Sequence, residues 1–181
     1  MAAQLDLKEI FLPSIISLAA SYQLGKFART VGKARGKFKV PPPATDGDEG
    51  FVRVFRAQQN TVEMAPIFYS TMWVSSIFFH PGEYGIGKKH LILVDLYVNI
   101  VFVRVPSAVA SVGYLYARHQ YFHQYSKDAE SRIKPFILSI KFIQILFLMS
   151  FAGVINFGLK SYMNVDIPGR VMDFIGPYIK H

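Results

Sequence analysis

Cysteine is absent from the 181 residues of the chain, and charged residues make up only 18% of it. Without cysteine the chain has no disulfide, no cysteine-ligated zinc and no cysteine nucleophile of its own. Any thiol chemistry must therefore use a thiol that arrives with a substrate. Hydrophobic residues account for 51% and aromatic residues for 15%, which excludes intrinsic disorder. A soluble domain of this length normally has a more polar surface, so the composition indicates a chain that meets lipid.

Acidic residues are also scarce, with 12 against 20 lysines and arginines, which gives a formal net charge of +8. This charge suits anionic lipid headgroups, an anionic ligand or nucleic acid. The basic residues are split between two segments that flank apolar stretches, and this distribution argues against nucleic acid. The sequence contains no P-loop, GxSxG or GxGxxG pattern. His119 and His123 stand four residues apart without a carboxylate ligand set nearby, so no metal site is predicted.

Four stretches of the chain contain no Lys, Arg, Asp or Glu, namely Ile10–Gly25, Met64–Gly82, Val105–Ala117 and Phe142–Leu159. A membrane-spanning helix needs about 20 mostly apolar residues. The second and fourth stretches qualify outright and the first nearly does, whereas the third qualifies only if Arg118, His119 and Gln120 lie at a helix–helix interface rather than against lipid. We therefore predict an all-α integral membrane four-helix bundle that forms one domain over residues 1–181, with helices at about 8–30, 51–80, 106–128 and 134–162.

Two segments fall outside these helices. Residues 82–104 are interpreted as an insertion between the second and third helices, with an irregular or strand-like structure. Their apolar part, 91–103, is rich in β-branched and aromatic residues but too short for a comfortable span. Residues 163–181 are expected to form a C-terminal tail.

The basic residues predict the orientation in the membrane. Those in segment 26–39 and those that follow the third helix place the first and third loops in the cytosol, with both termini on the far side. Asp6 and Glu9 stand where a signal peptide would carry basic residues. The first apolar stretch is therefore expected to remain as a membrane helix.

A polar stripe begins the second predicted helix. Its members, spaced 3, 4 and 3 residues apart, are Arg53, Arg56, Asn60 and Glu63, and Gln59 flanks them. Residues at this spacing share one helical face. Guanidinium groups bind carboxylates through two hydrogen bonds and a carboxylate holds an ammonium group, so the stripe predicts a ligand that carries both. The alternative is an interfacial face whose arginines pair with its glutamate.

A matching face on the third helix combines Arg118, Tyr121, Tyr125 and Arg132, spaced 3, 4 and 7 residues apart. Tyrosine hydroxyls beside arginines suit a peptide-like anion, although tyrosines also form aromatic belts at membrane interfaces. The Arg132 guanidinium is suited to stabilise a bound thiolate and so to lower the pKa of a thiol; the thiolate is the nucleophile. The alternative for Arg132 is one more basic residue on the cytosolic side.

Three segments carry a resemblance to a known family: residues 31–47 (VGKARGKFKVPPPATDG), residues 51–63 (FVRVFRAQQNTVE), and residues 114–126 (YLYARHQYFHQYS) followed by Arg132 and Pro135. They closely resemble the MAPEG superfamily, the membrane-associated proteins of eicosanoid and glutathione metabolism. The similar group contains the type-two microsomal glutathione transferase, the cysteinyl-leukotriene synthase and the five-lipoxygenase-activating protein. The resemblance covers the chain to about Leu159, apart from the inserted segment.

This resemblance implies a homotrimer of four-helix subunits in the endoplasmic reticulum or nuclear membrane, with the co-substrate glutathione held between neighbouring subunits. The glutathione-binding residues that it implies are Arg35, Arg56, Gln58, Asn60, Glu63, Tyr121 and Tyr125. Arg132 takes the catalytic place of the thiolate-stabilising arginine. Gln58 points away from the stripe, which fits a role in a second subunit's site. The other substrate is an apolar electrophile from the bilayer: a lipid epoxide such as leukotriene A, an activated alkene or a lipid hydroperoxide.

The chain also departs from the family pattern. The insertion of roughly two dozen residues is longer than a typical connection, and it is either a tolerated loop or a disabling one. Gly36 and Gln144 stand where the leukotriene synthase has an arginine and a tryptophan, which favours a broader transferase and peroxidase. The fourth helix resembles the five-lipoxygenase-activating protein, so a non-catalytic lipid-presenting scaffold is the alternative function. That protein lacks the arginines that correspond to Arg56 and Arg132, and this chain keeps both.

Overall fold

The computed structural model describes residues 7–79, 105–163 and 165 of the chain. These residues form four α-helices, α1 (Leu7–Phe38), α2 (Glu49–Phe78), α3 (Val105–Tyr125) and α4 (Ile133–Met163), and a 3-10 turn (Glu130–Arg132) leads into α4. No strand occurs in these ranges, so the predicted all-helical fold with four helices is confirmed for them. The insertion predicted at 82–104 and most of the tail predicted at 163–181 lie outside the described residues.

Helix α1 is longer than predicted and takes up most of the basic segment. It ends at Phe38 rather than near residue 30, so the predicted end was wrong by about two turns. Lysine and arginine are good helix formers, and no proline interrupts the chain between residues 14 and 40. The helix stops at Lys39, which has a left-handed φ of 55°, and the Val40 N–H donates to the Arg35 carbonyl at 3.1 Å. This is a Schellman cap, and it places Arg35 in the last turn of α1.

Helix α2 begins where Asp48 caps it, since the Asp48 carboxylate accepts a hydrogen bond from the Gly50 N–H at 2.8 Å. The first turns bury one face of α2 against the bundle, and the buried residues of that face are Phe51, Val54 and Ala57. With that face buried, the polar stripe lies on the neighbouring face of α2. This neighbouring face lies beside α3 and borders the predicted site.

Two buried clusters divide the bundle along its length, and α2 contributes to both while it contacts each of the other helices. In the cluster near the α1–α2 connection, the rings of Phe27 and Phe122 stack with centroids 4.0 Å apart. In the other cluster, Phe68 and Tyr114 stack at 4.2 Å. Arg118 lies on α3 between these two stacked pairs, so a charged side chain separates the apolar halves of the core.

One stretch, Glu130–Met163, is long and apolar enough to cross a membrane by its length and composition, with a mean hydropathy of 2.0. The sequence predicted that the second helix would also qualify, and within the described ranges it does not. The first half of Glu49–Phe78 carries the polar stripe, and this leaves too few apolar residues before the helix ends.

Candidate functional site

A cleft of about 250 Å³ opens between α2, the end of α3 and the 3-10 turn before α4. It is lined by Arg56, Gln59, Asn60, Glu63, Tyr121, Tyr125 and Arg132. Six of these seven are residues that the sequence proposed as binding or catalytic, taken from two segments far apart in the chain. The seventh, Gln59, was expected only to flank the stripe and is a full member of the wall.

Hydrogen bonds connect the side chains of the α2 wall. Arg56 Nη1 donates to Gln59 Oε1 at 3.0 Å, and Gln59 Nε2 donates to Glu63 Oε1 at 3.1 Å. A neutral carboxamide therefore separates the cation from the anion, so the wall offers a ligand one group of each charge. Arg53, which the spacing placed in the same stripe, instead pairs with Glu49 at 3.6 Å and lies outside the cleft.

The opposite wall consists of aromatic rings and a second guanidinium. The ring centroids of Tyr121 and Tyr125 are 5.7 Å apart, and Arg132 Cζ lies 4.7 Å from the Tyr125 ring centroid. At this distance the guanidinium is attracted by the ring face. Arg132 Nη1 donates to the Ala129 carbonyl at 2.9 Å, which uses one of its five N–H groups. The cation is thus held in place at the edge of the cleft.

The 3-10 turn that carries Arg132 is fixed by its neighbour Ser131. The Ser131 N–H donates to Asp128 Oδ2 at 2.9 Å, and the Ser131 hydroxyl donates to the Gln124 carbonyl at 2.9 Å. These bonds connect the turn to the end of α3. They hold Arg132 on the same side of α3 as the two cleft tyrosines.

Arg118 lies behind the cleft rather than in its wall. Its side chain is fully buried; Nη2 donates to Asn60 Oδ1 at 2.9 Å and to Thr61 Oγ1 at 2.8 Å. Its Cζ lies 4.3 Å from the Tyr121 ring centroid. Arg118 therefore lies at a helix–helix interface, whereas His119 is exposed, so the condition set for the third helix is met only in part. The placement of Arg118 on a ligand-facing stripe with the tyrosines was wrong, because α2 packs over it at that level. No sequence signal singled out Thr61 as its partner.

Two predicted glutathione-binding residues, Arg35 and Gln58, do not line this cleft. Arg35 Nη1 donates to the Ala44 carbonyl at 2.7 Å, and its Cζ lies 4.9 Å from the Phe51 ring centroid. Arg35 therefore fastens the α1–α2 connection within its own chain. Gln58 is half-buried on a different face of α2 from the cleft residues. Their assignment to glutathione stays a prediction.

The charges of the cleft define the ligand that it can hold. Two guanidinium groups, Arg56 and Arg132, stand against one carboxylate, Glu63. This set suits a ligand with a net negative charge that also carries one cationic group. Among the described residues, no group of three or more His, Asp or Glu side chains lies close enough to hold a metal ion.

Sequence comparisons connect this geometry with a family. The sequence profile of the MAPEG family matches residues 14–84, which include most of α1 and the α2 wall of the cleft. Microsomal glutathione S-transferase 2 of Homo sapiens is 38% identical over 160 residues, which cover 88% of this chain and 93% of that protein. The chain belongs to the MAPEG family.

Other MAPEG relatives carry names of the same kind. Microsomal glutathione S-transferase 2 of Bos taurus is 35% identical over 163 residues, which cover 90% of this chain and 96% of that protein. Leukotriene C4 synthase of Mus musculus is 32% identical over 147 residues, or 81% of this chain and 83% of that protein. The resemblance drawn from the three segments is confirmed. The prediction of an enzyme, rather than a scaffold, agrees with the names of these MAPEG members.

Proposed function

We propose that this MAPEG protein is a membrane-bound glutathione transferase that activates glutathione as a thiolate and directs it at lipophilic electrophiles. The observation that carries this proposal is the single cleft in which Arg56, Glu63 and Arg132 meet with two tyrosines. The similarity to proteins named glutathione S-transferase and leukotriene C4 synthase supports the same class of reaction.

The chemistry of glutathione matches the cleft group by group. Glutathione has a carboxylate at each end, an ammonium group beside one of them, and a thiol in the middle. Arg56 binds a carboxylate through its guanidinium fork, and Glu63 binds the ammonium group. The bridging Gln59 keeps these two side chains apart, so that both ends of the zwitterionic γ-glutamyl group find a partner.

Arg132 acts on the thiol group of glutathione. A thiol with an ordinary pKa of about 8.5 is mostly protonated at neutral pH, and an adjacent guanidinium lowers that pKa. The thiolate then gives its electron pair to an electrophilic carbon: a C–S bond forms, and a halide leaves or an epoxide C–O bond breaks and its oxygen takes up a proton. With a lipid hydroperoxide the thiolate attacks the terminal oxygen: an S–O bond forms, the O–O bond breaks, and the leaving alkoxide takes up a proton to give the lipid alcohol. A second glutathione then reacts with the sulfenic product to give glutathione disulfide and water.

We infer that the bundle spans a membrane, where such electrophiles dissolve. Besides the apolar stretch Glu130–Met163, large apolar side chains are exposed on the other helices, among them Leu18 (72%), Ile67 (47%) and Val109 (58%). Soluble monomers rarely expose apolar surface on this scale. We place the protein in the endoplasmic reticulum membrane or nuclear envelope with its first and third loops cytosolic. Protease protection of those loops in intact microsomes would contradict this orientation.

We also propose a homotrimer, in which Arg35 and Gln58 complete the site of a neighbouring subunit. Gln58 lies on a different face of α2 from the cleft, so within one chain it cannot reach a ligand bound there. Native mass spectrometry of the detergent-purified protein tests the oligomeric state. A monomer with full transferase activity would contradict the shared site.

The function is tested by glutathione conjugation to an aromatic halide, with a lipid hydroperoxide assayed in parallel, by the purified full-length protein in detergent. Turnover of either substrate by the unmodified chain, and its loss in an Arg132→Ala control, is the expected result. Glutathione binding without turnover would overturn the transferase in favour of the lipid-presenting scaffold. Absence of glutathione binding would overturn the assignment of the cleft and implicate the insertion as disabling.

A further inference from the structure

Arg118 is a buried cation whose surroundings do not neutralise it. Its acceptors are the neutral oxygens of Asn60 and Thr61, and no ion pair to it occurs in the described part of the chain. Its Nε and Nη1 atoms are buried and have no hydrogen-bond partner within the same ranges. Burial of an unpaired charge is costly, and a well-packed apolar side chain of similar volume would serve stability better. The burial of Arg118 therefore indicates a role other than packing.

We propose that Arg118 is a positioning residue for glutathione, because it holds the Asn60 carboxamide with its NH₂ group toward the cleft. This inference rests on the proposed function. A guanidinium has donors only, so the Asn60 atom that faces Arg118 is the carbonyl oxygen. Because Asn60 also lines the cleft, its two remaining donors are left for the ligand.

The hydrogen bonds of the neighbouring Thr61 run in the same direction as that of Asn60. Its hydroxyl donates to the Ala57 carbonyl at 2.8 Å, so the same oxygen accepts the bond from Arg118. All hydrogen bonds thus run outward from the guanidinium. A flipped Asn60 carboxamide would set its N–H groups against those of Arg118, and both would lose a partner inside the bundle.

The same guanidinium also contacts the opposite wall of the cleft. Its Cζ lies 4.3 Å from the ring centroid of Tyr121, which is itself buried yet lines the cleft. Arg118 thus touches one residue of each wall without lining the cleft itself. The group that glutathione places beside Asn60 is consequently an acceptor, a carboxylate or a peptide carbonyl. Its ammonium group lies one helical turn away at Glu63.

A double-mutant cycle on the full chain tests this role. The variants are Arg118→Met, Asn60→Ala and the double change, and the measurements are the glutathione Kd by calorimetry and the melting temperature. Arg118→Met should raise the Kd about tenfold in the parent background and less than about twofold in the Asn60→Ala background. A merely structural Arg118 would lower the melting temperature in both backgrounds and change the Kd additively, and additivity overturns the proposal.

Thr61→Val is the matched control, since it removes the other acceptor of Arg118 without changing a cleft residue. It should lower the melting temperature and leave the Kd within about twofold of the parent value. A loss of affinity as large as that of Arg118→Met would show that any disturbance of the buried bonds impairs binding, and would overturn the specific role of Asn60.

Asn60→Asp decides the matter if Arg118→Met does not fold. The carboxylate still accepts from Arg118 and adds a counter-ion, but it presents an oxygen to the cleft where the NH₂ group stood. The melting temperature should be maintained, and the Kd should rise by ~30-fold or more; an unchanged Kd overturns the proposed donor direction. Failure of the unmodified chain to bind glutathione would instead overturn the proposed function itself.

Discussion

The contact between α2 and α3 contains two buried polar layers of opposite kinds, one near each end. At the cleft end, the cation of Arg118 has only neutral acceptors, and two of its nitrogens lack a partner among the residues that the structure describes. At the other end, Ser75 Oγ lies 2.6 Å from Ser107 Oγ, and Ser76 Oγ lies 3.1 Å from the same atom. The Ser75 hydroxyl also donates to the Met72 carbonyl at 3.0 Å, so this layer is neutral and internally satisfied.

The two polar layers differ in what they contribute to the protein. Small hydroxyls that bond one another let two helices approach closely, and they contribute modestly to stability. A buried guanidinium with incomplete pairing costs stability, so we infer that its presence marks the end that serves the proposed ligand. Changes to the residues that line the cleft should therefore impair glutathione handling with little effect on stability. Changes at the serine end should do the reverse.

The largest effect is expected from Arg56→Ala, which deletes the carboxylate partner at the cleft end. Once glutathione fills the cleft, this ion pair is shielded from water, so its loss should weaken binding by about 2–5 kcal/mol, or ~30-fold or more in Kd. Calorimetry on the purified protein measures it. Arg53→Ala is the matched control, because Arg53 lies one turn away, pairs with Glu49 and does not line the cleft. Equal losses in the two variants would contradict the assignment of Arg56.

Arg132→Ala should act on the thiol rather than on affinity. Removal of one fixed positive group beside a developing charge typically lowers kcat by about 10²–10³-fold. The absorbance of the bound thiolate, followed by stopped flow, should disappear while the Kd for glutathione changes little. Lys134→Ala, an exposed basic residue beside the same turn, serves as the control. A thiolate band that survives in Arg132→Ala would remove the catalytic role from this residue.

Much of the candidate site could be predicted from the sequence, because helical periodicity assigns residues to the faces of a helix. The stripe of Arg56, Asn60 and Glu63 does border one cleft with Tyr121 and Tyr125. Periodicity gives the direction of each Cβ but not which helix packs over it. This is why Arg118, in register with the tyrosines, is covered by α2, and why Arg53, in register with Arg56, pairs away from the cleft.

The end of α1 shows a second limit. A helix of this kind usually stops at glycine, which adopts a positive φ without strain. Here Lys39 takes that conformation, and the glycines at 32 and 36 lie within the helix. The basic composition of the segment suggested a loop, whereas long aliphatic stems make lysine and arginine good helix formers.

Gly153→Ala tests the serine end, because Gly153 of α4 packs against the backbone at the end of α2. A Cβ on Gly153 would lie 2.5 Å from the Phe78 carbonyl carbon and 2.6 Å from the Phe79 nitrogen. Backbone atoms cannot rotate aside as a side chain does, so α4 must shift away from the end of α2. We expect a loss of about 1–3 kcal/mol in the free energy of unfolding, with unchanged kcat/KM. Gly158→Ala on the same helix has nothing within 4 Å of its Cβ and should be neutral or slightly stabilising.

The smallest effect is expected from Ser75→Ala. Ser107 still has Ser76 within hydrogen-bond distance, so the change removes one interhelical bond and should cost about 0.5–1.5 kcal/mol. The double variant Ser75→Ala with Ser107→Ala should cost less than the sum of the two single changes, because each single change already removes the same Ser75–Ser107 hydrogen bond. Thermal unfolding in detergent measures the stability and calorimetry the glutathione affinity. If Ser75→Ala weakened glutathione binding as much as Arg56→Ala, the two ends would be one cooperative unit. A neutral hydroxyl layer would then matter to the ligand as much as a charged one.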